Sequence, residues 1–420
     1  MYFYFLKFQD KFCPRKSLKA SPSPLYGGVE VNKTYTIAVV GILIGLVIGA
    51  AIVWVVKPLP PPGPEWVSKT DFDNLQSDYN KVNANLTATL AELAALKKPI
   101  KVGLVLATGG LGDKSFNDIS YAGVLRAKNE IGIKFDYVEP RAIAEYEGYQ
   151  RDFAKTGEYA IIICIGFDQA DALNKTAGEY PKQNFAIVDM VVSQPNVASL
   201  LFKANEGSFL VGVIGGMMTQ AKKVGFVGGM DIPLIRDFFL GYQAGVRWAN
   251  PNVTVLEPVF VGGWADPTKG KELAVSLIGL GADAIYVAAG KSGLGALEAA
   301  HENNITGFGV DACQCYLHPE IKASMTKRVD VAVFEMIMAA VLAKAFPNLK
   351  TGVFAGGIYE KGVKDKWTGC CRLSDEQQLW ETTFNFTHQS LPANVLTKLQ
   401  EARDKIVTGD IKVPRPPEFT

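Results

Sequence analysis

Histidine is nearly absent from this chain. Only His301, His318 and His388 occur in 420 residues, and they are scattered and unaccompanied. No His-rich metal site can be assembled locally from them, and acid–base mechanisms lose their commonest participant. The sequence therefore predicts no metal, no cofactor and no enzyme. A charge surplus is missing as well: 43 Lys plus Arg stand against 42 Asp plus Glu. Proteins that bind nucleic acid normally carry a basic excess to meet phosphate, so no nucleic-acid partner is expected. The six cysteines are too few for a disulfide scaffold. Cys313/Cys315 and Cys370/Cys371 are each too close for easy internal pairing. A disulfide between one member of each pair is the favoured reading for an exported domain, ahead of a zinc site.

Long apolar runs are also scarce, and the one that is present is informative. Thr34 to Val56 (TYTIAVVGILIGLVIGAAIVWVV) has no charged residue and can cross a hydrocarbon core of about 30 Å as a helix. Lys7, Lys11, Arg15, Lys16, Lys19 and Lys33 precede it against Asp10 and Glu30. The positive-inside bias then keeps residues 1–33 cytoplasmic and exports the chain beyond Val56, giving a single-pass cell-membrane protein with an extracytoplasmic domain. A cleaved signal peptide is the competing reading, but its apolar core would be shorter and a small-residue cleavage site would come after it. Residues 57–98 read as a spacer, PLPPPGP, and then a helical stalk. In the stalk, Leu75, Tyr79, Val82, Leu86, Thr89, Leu93 and Leu96 fall on one stripe.

From Lys101 the pattern changes. KVGLVLA, KFDYVE, YAIIICIG, NFAIVDM, KVGFVG, TVLEPVFVG, ADAIYVAA and ITGFGVD read as strands, with helical segments between them. Continuous apolar strands alternating with helices imply parallel sheets covered on both faces. Eight such units over this length exceed one core and predict an α/β protein of two doubly wound lobes. In such sheets the ligand binds beyond the carboxyl ends of the strands. Those positions supply glycines, the carboxylates Asp168, Asp189, Asp231 and Asp311, and the aromatics Phe116, Phe167, Phe238 and Trp264. They contain no nucleophile beside a base, which fits a neutral polar ligand held by hydrogen bonds and stacking. The turn GGLGDKS (109–115) lacks the endings of both phosphate-loop templates and reads as a tight strand-to-helix turn. Trp264 reads as a loop indole that either packs or covers a planar ligand, and Phe238, inside a helix, as core or cavity wall. Asp311 is either a turn residue or a bidentate acceptor for a diol.

Beyond these local readings, the stretches GGLGDKSFND, NFAIVDMVVSQPNVASLLFKANEGSFLVG, KVGFVGGMDIPLIRDFFLGYQAGV, DPTKGKELA, GADAIYVAAGKSGLG and KRVDVAVF resemble the basic membrane protein family, nucleoside-binding proteins that serve ABC importers. The resemblance implies a type I periplasmic-binding-protein fold with a hinge of three crossovers. It places lobe 1 at about 99–206 plus 325–346 and lobe 2 at about 207–324 plus 347–420. It implies that Phe116 and Trp264 sandwich a purine-like base, that Asn117 and Asp189 contact the base or nearby polar groups, and that Gly290, Asp311 and Lys327 hold the ribose end. The family's carboxylate before the Gly-Gly turn is Ala107 here, its preceding Thr is Leu106, and the Asp-Gln after the strand-end Asp becomes Cys313-Gln314. The implied partners are a nucleoside, an ABC permease with its ATPase subunit, and the membrane through residues 34–56. A sensor domain of the same fold, or a protein that binds a sugar or another polar ring compound, is the alternative.

Overall fold

A strand such as Tyr159–Ile165, YAIIICI, buries every side chain, which requires cover on both faces of its sheet. The computed structural model describes residues 100–349 and 352–419. The expected cytoplasmic segment, the anchor at 34–56 and the stalk lie outside the described residues. Among the described residues no helix is long and apolar enough to cross a membrane.

Strands β1 (Lys101–Val105), β2 (Lys134–Val138), β3 (Tyr159–Ile165), β4 (Phe185–Val188) and β5 (Val197–Phe202) form one sheet with β12 (Gly357–Lys361), in the order β12-β5-β4-β3-β1-β2. A second sheet contains β6 (Lys223–Gly228), β7 (Thr254–Val255), β9 (Ala284–Ala288), β10 (Thr306–Gly309), β11 (Ile321–Lys327) and β13 (Thr368–Cys370). Its order is β13-β11-β10-β9-β6-β7, with β8 (Val259–Phe260) also on β6. Both sheets thus repeat one winding, in which the first two strands run outward and the chain then reverses to the other side of the first. That reversal opens a crevice at the carboxyl ends of β1 and β3 in one lobe and of β6 and β9 in the other.

The chain crosses between lobes at Lys203, at Arg328 and between Lys361 and Thr368. Backbone hydrogen bonds Lys203 N→Lys361 O (3.0 Å) and Arg328 N→Trp367 O (2.7 Å) tie the crossings together. The fully buried Trp367 packs on Phe202 at 5.0 Å between ring centroids.

Several expectations are corrected. The segment 347–420 does not belong wholly to the second lobe, because β12 pairs in parallel with β5 and Trp380 packs into the first lobe's core. Residues 325–327 are not in the first lobe but end β11 of the second sheet, and helix Ala204–Met218 already begins the second lobe at 204. The second sheet is not purely parallel, since β13 runs antiparallel to β11. TVLEPVFVG is two short strands, because Pro258 has no N–H to give to the ladder.

In the second lobe, helices Ala204–Met218 and Pro233–Ala249 touch backbone to backbone. A Cβ on Gly245 would lie 2.0 Å from Phe209 O, and one on Gly212 would lie 2.3 Å from Tyr242 O. Gly245→Ala should therefore force the helices apart and lower stability by about 1–3 kcal/mol, read from the urea unfolding midpoint of the full chain in detergent. An unchanged midpoint would show that the contact can relax.

Candidate functional site

Between the lobes lies a cavity lined from the strand ends of both sheets; it opens to solvent, and the empty space there, open solvent included, is about 670 Å³. Phe116, Asn117 and Asp189 line it from the first lobe, and Phe238, Trp264, Gly290, Asp311 and Lys327 from the second. The fold therefore brings these eight, together with Phe167 and Asp168, to one space, whereas Asp231 stays outside it and pairs with Arg236 (2.6 Å).

The first wall is built on the turn after β1. Asp113 is buried, and its carboxylate accepts N–H bonds from Ser115 (2.9 Å), Asn117 (2.8 Å) and Asp118 (3.2 Å). It thereby satisfies the orphan amides that open helix Phe116–Ile131. Asp118 accepts from Gly112 N and Lys114 N, and Glu139 from Leu111 N. With their amides already bound to carboxylates, these loop positions offer nothing to a phosphate. Asn117 is likewise engaged: Oδ1 accepts from Ala107 N (2.9 Å), and Nδ2 donates to Asp113 (3.2 Å). Its amide therefore fixes the loop after β1 to the helix and leaves one Nδ2 proton uncommitted.

Across the switch point, the buried Gln169 donates to the carbonyls of Val105 (2.9 Å) and Ile165 (2.8 Å) and braces the splayed ends of β1 and β3. Beside it, Tyr146 OH donates to Asp168 Oδ2 (3.1 Å) and accepts from Thr108 N (2.9 Å). A Cβ placed on Gly166 would lie 3.0 Å from Asp168 Oδ1, 3.4 Å from Ala107 Cβ and 3.8 Å from Phe116 Cε1. Asp168 and Ala107 both line the cavity. Burial raises the pKa of Asp168, opposed by the hydrogen bond from Tyr146.

Trp264 forms much of the facing wall. It lies against bare backbone at Gly229, where a Cβ would meet its ring at 2.1 Å, and its carbonyl accepts from Ser292 N (3.0 Å). Phe167, from the first lobe, meets it edge-on at 6.3 Å. Phe238 is 3% exposed and lines the cavity while also packing in the second lobe's core.

Two carboxylates end their strands in left-handed backbone, Asp189 at φ 70° and Asp311 at φ 64°. Such strain in non-glycine residues concentrates at functional sites. Asp189 pairs with Lys327 across the lobes, and both are buried. The Lys327 ammonium also lies 4.8 Å from the centroid of Phe116, 5.1 Å from Phe202 and 5.7 Å from Phe238. Asp189 Oδ1 is buried without a hydrogen-bond partner, so a ligand donor would satisfy it. Asp311 Oδ2 accepts from Ser115 Oγ (2.5 Å), again across the lobes. Burial pushes its carboxyl up to about 6, with Lys327 and Ser115 pulling it down.

Four carboxylates (Asp113, Asp168, Asp189, Asp311) and two ammonium groups (Lys291, Lys327) line the space. The surplus of acceptors favours a ligand rich in hydroxyl and N–H donors and disfavours an anion. In the sequence, Asp168 and Phe167 stand out only as strand-end residues, with nothing to select them further. Asp113 and Tyr146 escape a reading by sequence, and of these only Asp113, just ahead of a helix start, carries a local signal.

The Bmp family model, described as ABC transporter substrate-binding protein PnrA-like, matches residues 100–369. An uncharacterized lipoprotein of Pyrococcus horikoshii is 33% identical over 300 residues, covering 68% of this chain and 72% of the relative. The ABC transporter nucleoside-binding protein BmpA of Lactococcus lactis is 30% identical over 277 residues, covering 62% of this chain and 78% of the relative. A solved ABC transporter solute-binding protein from Aeropyrum pernix is 31% identical with a TM-score of 0.64, covering 76% of this chain and 95% of its own.

The buried pair makes a stability prediction. Lys327→Met leaves the buried Asp189 without its counter-ion, and should lower unfolding stability by about 3–5 kcal/mol. Adding Asp189→Asn should recover a large part of that loss in urea denaturation, because asparagine tolerates the same left-handed backbone. Equal losses in single and double variants would mean that the pair is not coupled.

Proposed function

This chain belongs to the PnrA-like family of ABC transporter substrate-binding proteins, and from that premise we propose that its cleft captures a nucleoside, purine type favoured, for an ABC importer. The family consists of binding proteins that work with a permease and its ATPase, not of enzymes. The observation that carries the nucleoside reading is the composition of the cavity walls. Phe116 from one lobe and Trp264 from the other line the cavity, together with the carboxylates Asp189 and Asp311. A planar base stacks on such rings. Asp311 suits a ribose diol, and the unpartnered Asp189 Oδ1 suits a further donor. Asp168, which lines the cavity along with Ala107, offers a base-edge acceptor. The Lactococcus relative is named for nucleoside binding, which supports the same ligand class.

The proposed cycle needs no covalent step. The lobes swing about the three crossings, and ligand contacts to both walls favour the closed form that the permease reads. We read residues 34–56 as the membrane anchor and 57–98 as a spacer that holds the extracytoplasmic domain clear of the bilayer. The Pyrococcus relative is named a lipoprotein, so tethering of a similar domain would be reached here by a helix.

Calorimetric titration of the full chain in detergent against nucleosides, free bases, pentoses and nucleoside monophosphates tests the ligand class. Nucleosides should bind, and the monophosphates should bind far more weakly because of the acceptor surplus. Binding of sugars without any nucleoside would overturn the reading. Trp264→Ala, Asp311→Asn and Asp168→Asn should each weaken nucleoside binding at least about tenfold, equivalent to about 1.4 kcal/mol, with unfolding still cooperative. Unchanged affinity in the Trp264 and Asp311 variants would remove the wall assignment.

A further inference from the structure

Outside the cavity, three thiols and an imidazole converge behind the strand that carries Asp311. The candidate ligand atoms of Cys313, Cys315, Cys371 and His388 all lie within 4.8 Å of one another. Cys315 Sγ is 3.7 Å from Cys371 Sγ, and Cys313 Sγ is 3.3 Å from His388 Nε2. Thiolates bound to one tetrahedral zinc at about 2.3 Å stand about 3.8 Å apart, and a thiolate and an imidazole nitrogen stand slightly closer. The observed separations therefore suit a shared ion. They are too long for a sulfur–sulfur bond of about 2.05 Å, and all four thiols of the 313/315 and 370/371 pairs are free.

The surroundings fit the same chemistry. His388 Nδ1 lies 3.0 Å from the Glu381 carboxylate, which also accepts from His388 N at 3.0 Å. A ring that donates from Nδ1 keeps its Nε2 lone pair for a metal, the usual arrangement of a carboxylate, a histidine and zinc. Ser324 N donates to Cys371 Sγ at 3.2 Å, as a backbone amide does to a thiolate. Cys313, Cys371 and His388 are buried and Cys315 is half-buried. Four protein ligands with no open position describe a structural site.

We infer that Cys313, Cys315, Cys371 and His388 form a structural Zn²⁺ site. This departs from the expectation of no metal, which rests on the three histidines being scattered and unaccompanied in sequence. The ion would fasten the excursion 371–391 to the loop after Asp311. There Gln314, between two ligands, accepts from Val310 N (3.0 Å) and donates to Lys114 O of the other lobe (3.1 Å). The inference stands apart from the nucleoside reading, because neither its residues nor its test involves the cleft ligand.

The test is elemental analysis and cobalt spectroscopy of the full chain purified in detergent with a thiol-free reductant. One equivalent of zinc per chain is expected. Exchange for Co²⁺ should give thiolate-to-cobalt charge transfer and the intense visible bands of a tetrahedral ion. Cys371→Ser and Cys315→Ser should each weaken zinc in chelator competition by about 100-fold or more, and Glu381→Gln by about 10- to 100-fold. Cys370→Ala, altering the neighbouring thiol outside the cluster, should keep the full equivalent. A metal-free reduced protein, or weak octahedral cobalt bands, would overturn the site. So would a Cys315–Cys371 disulfide whose reduction leaves no cobalt-binding thiols. The wild-type spectrum decides the matter even if a ligand variant fails to fold.

Discussion

Two wound sheets that end at a common crevice bury charged side chains at its walls, and the pairing of Asp189 with Lys327 is what makes that placement tolerable. Each ion is nearly excluded from solvent, and each comes from a different lobe. Neither could stay charged there alone, because an isolated buried ion forfeits far more hydration than packing returns. Three aromatic rings around Lys327 complete its surroundings. Cleft geometry and lobe apposition therefore rest on one electrostatic requirement, and the remaining contacts, Ser115 with Asp311 and Gln314 with Lys114 O, align the lobes around it.

Around that pair the cavity divides its polar groups by task. Asp113 and Asn117 are spent on the turn after β1, where they fix the helix start and hence the Phe116 ring. Asp168, Asp189 and Asp311 line the cavity, and Asp189 Oδ1 has no hydrogen-bond partner. On the proposed reading, stacking on the aromatic rings and spare acceptors would select a flat, neutral, donor-rich ligand over a nucleotide.

Much of this is legible in the sequence because α/β folds put function at strand ends, and strand ends are easy to find when strands are apolar. YAIIICIG and ADAIYVAA announce Gly166 to Asp168 and Gly290, and the break after GFGV marks Asp311. Less apolar strands escape. Ile321–Lys327, IKASMTK, mixes polar residues into a strand with six of seven positions buried, and Gly357–Lys361 is an exposed edge. Without the second of these, the later part of the chain is assigned to the wrong lobe. Tyr146 opens a helix and gives no local hint that its hydroxyl ties Thr108 to Asp168. His388 lies 75 residues from Cys313 in sequence, so only the fold could reveal that they meet.

The pairing of β12 with β5 also has a consequence for the order in which the protein is made. The first lobe cannot complete its sheet until the second has largely emerged, because β12 is synthesised after nearly all of the second sheet. Until then β5 is an open strand edge whose amides and carbonyls are available to any passing strand. A chain that stalls in that interval is most exposed to association with copies of itself. Arrival of β12 is therefore the event that closes the first sheet, and β13, a few residues later, then completes the second.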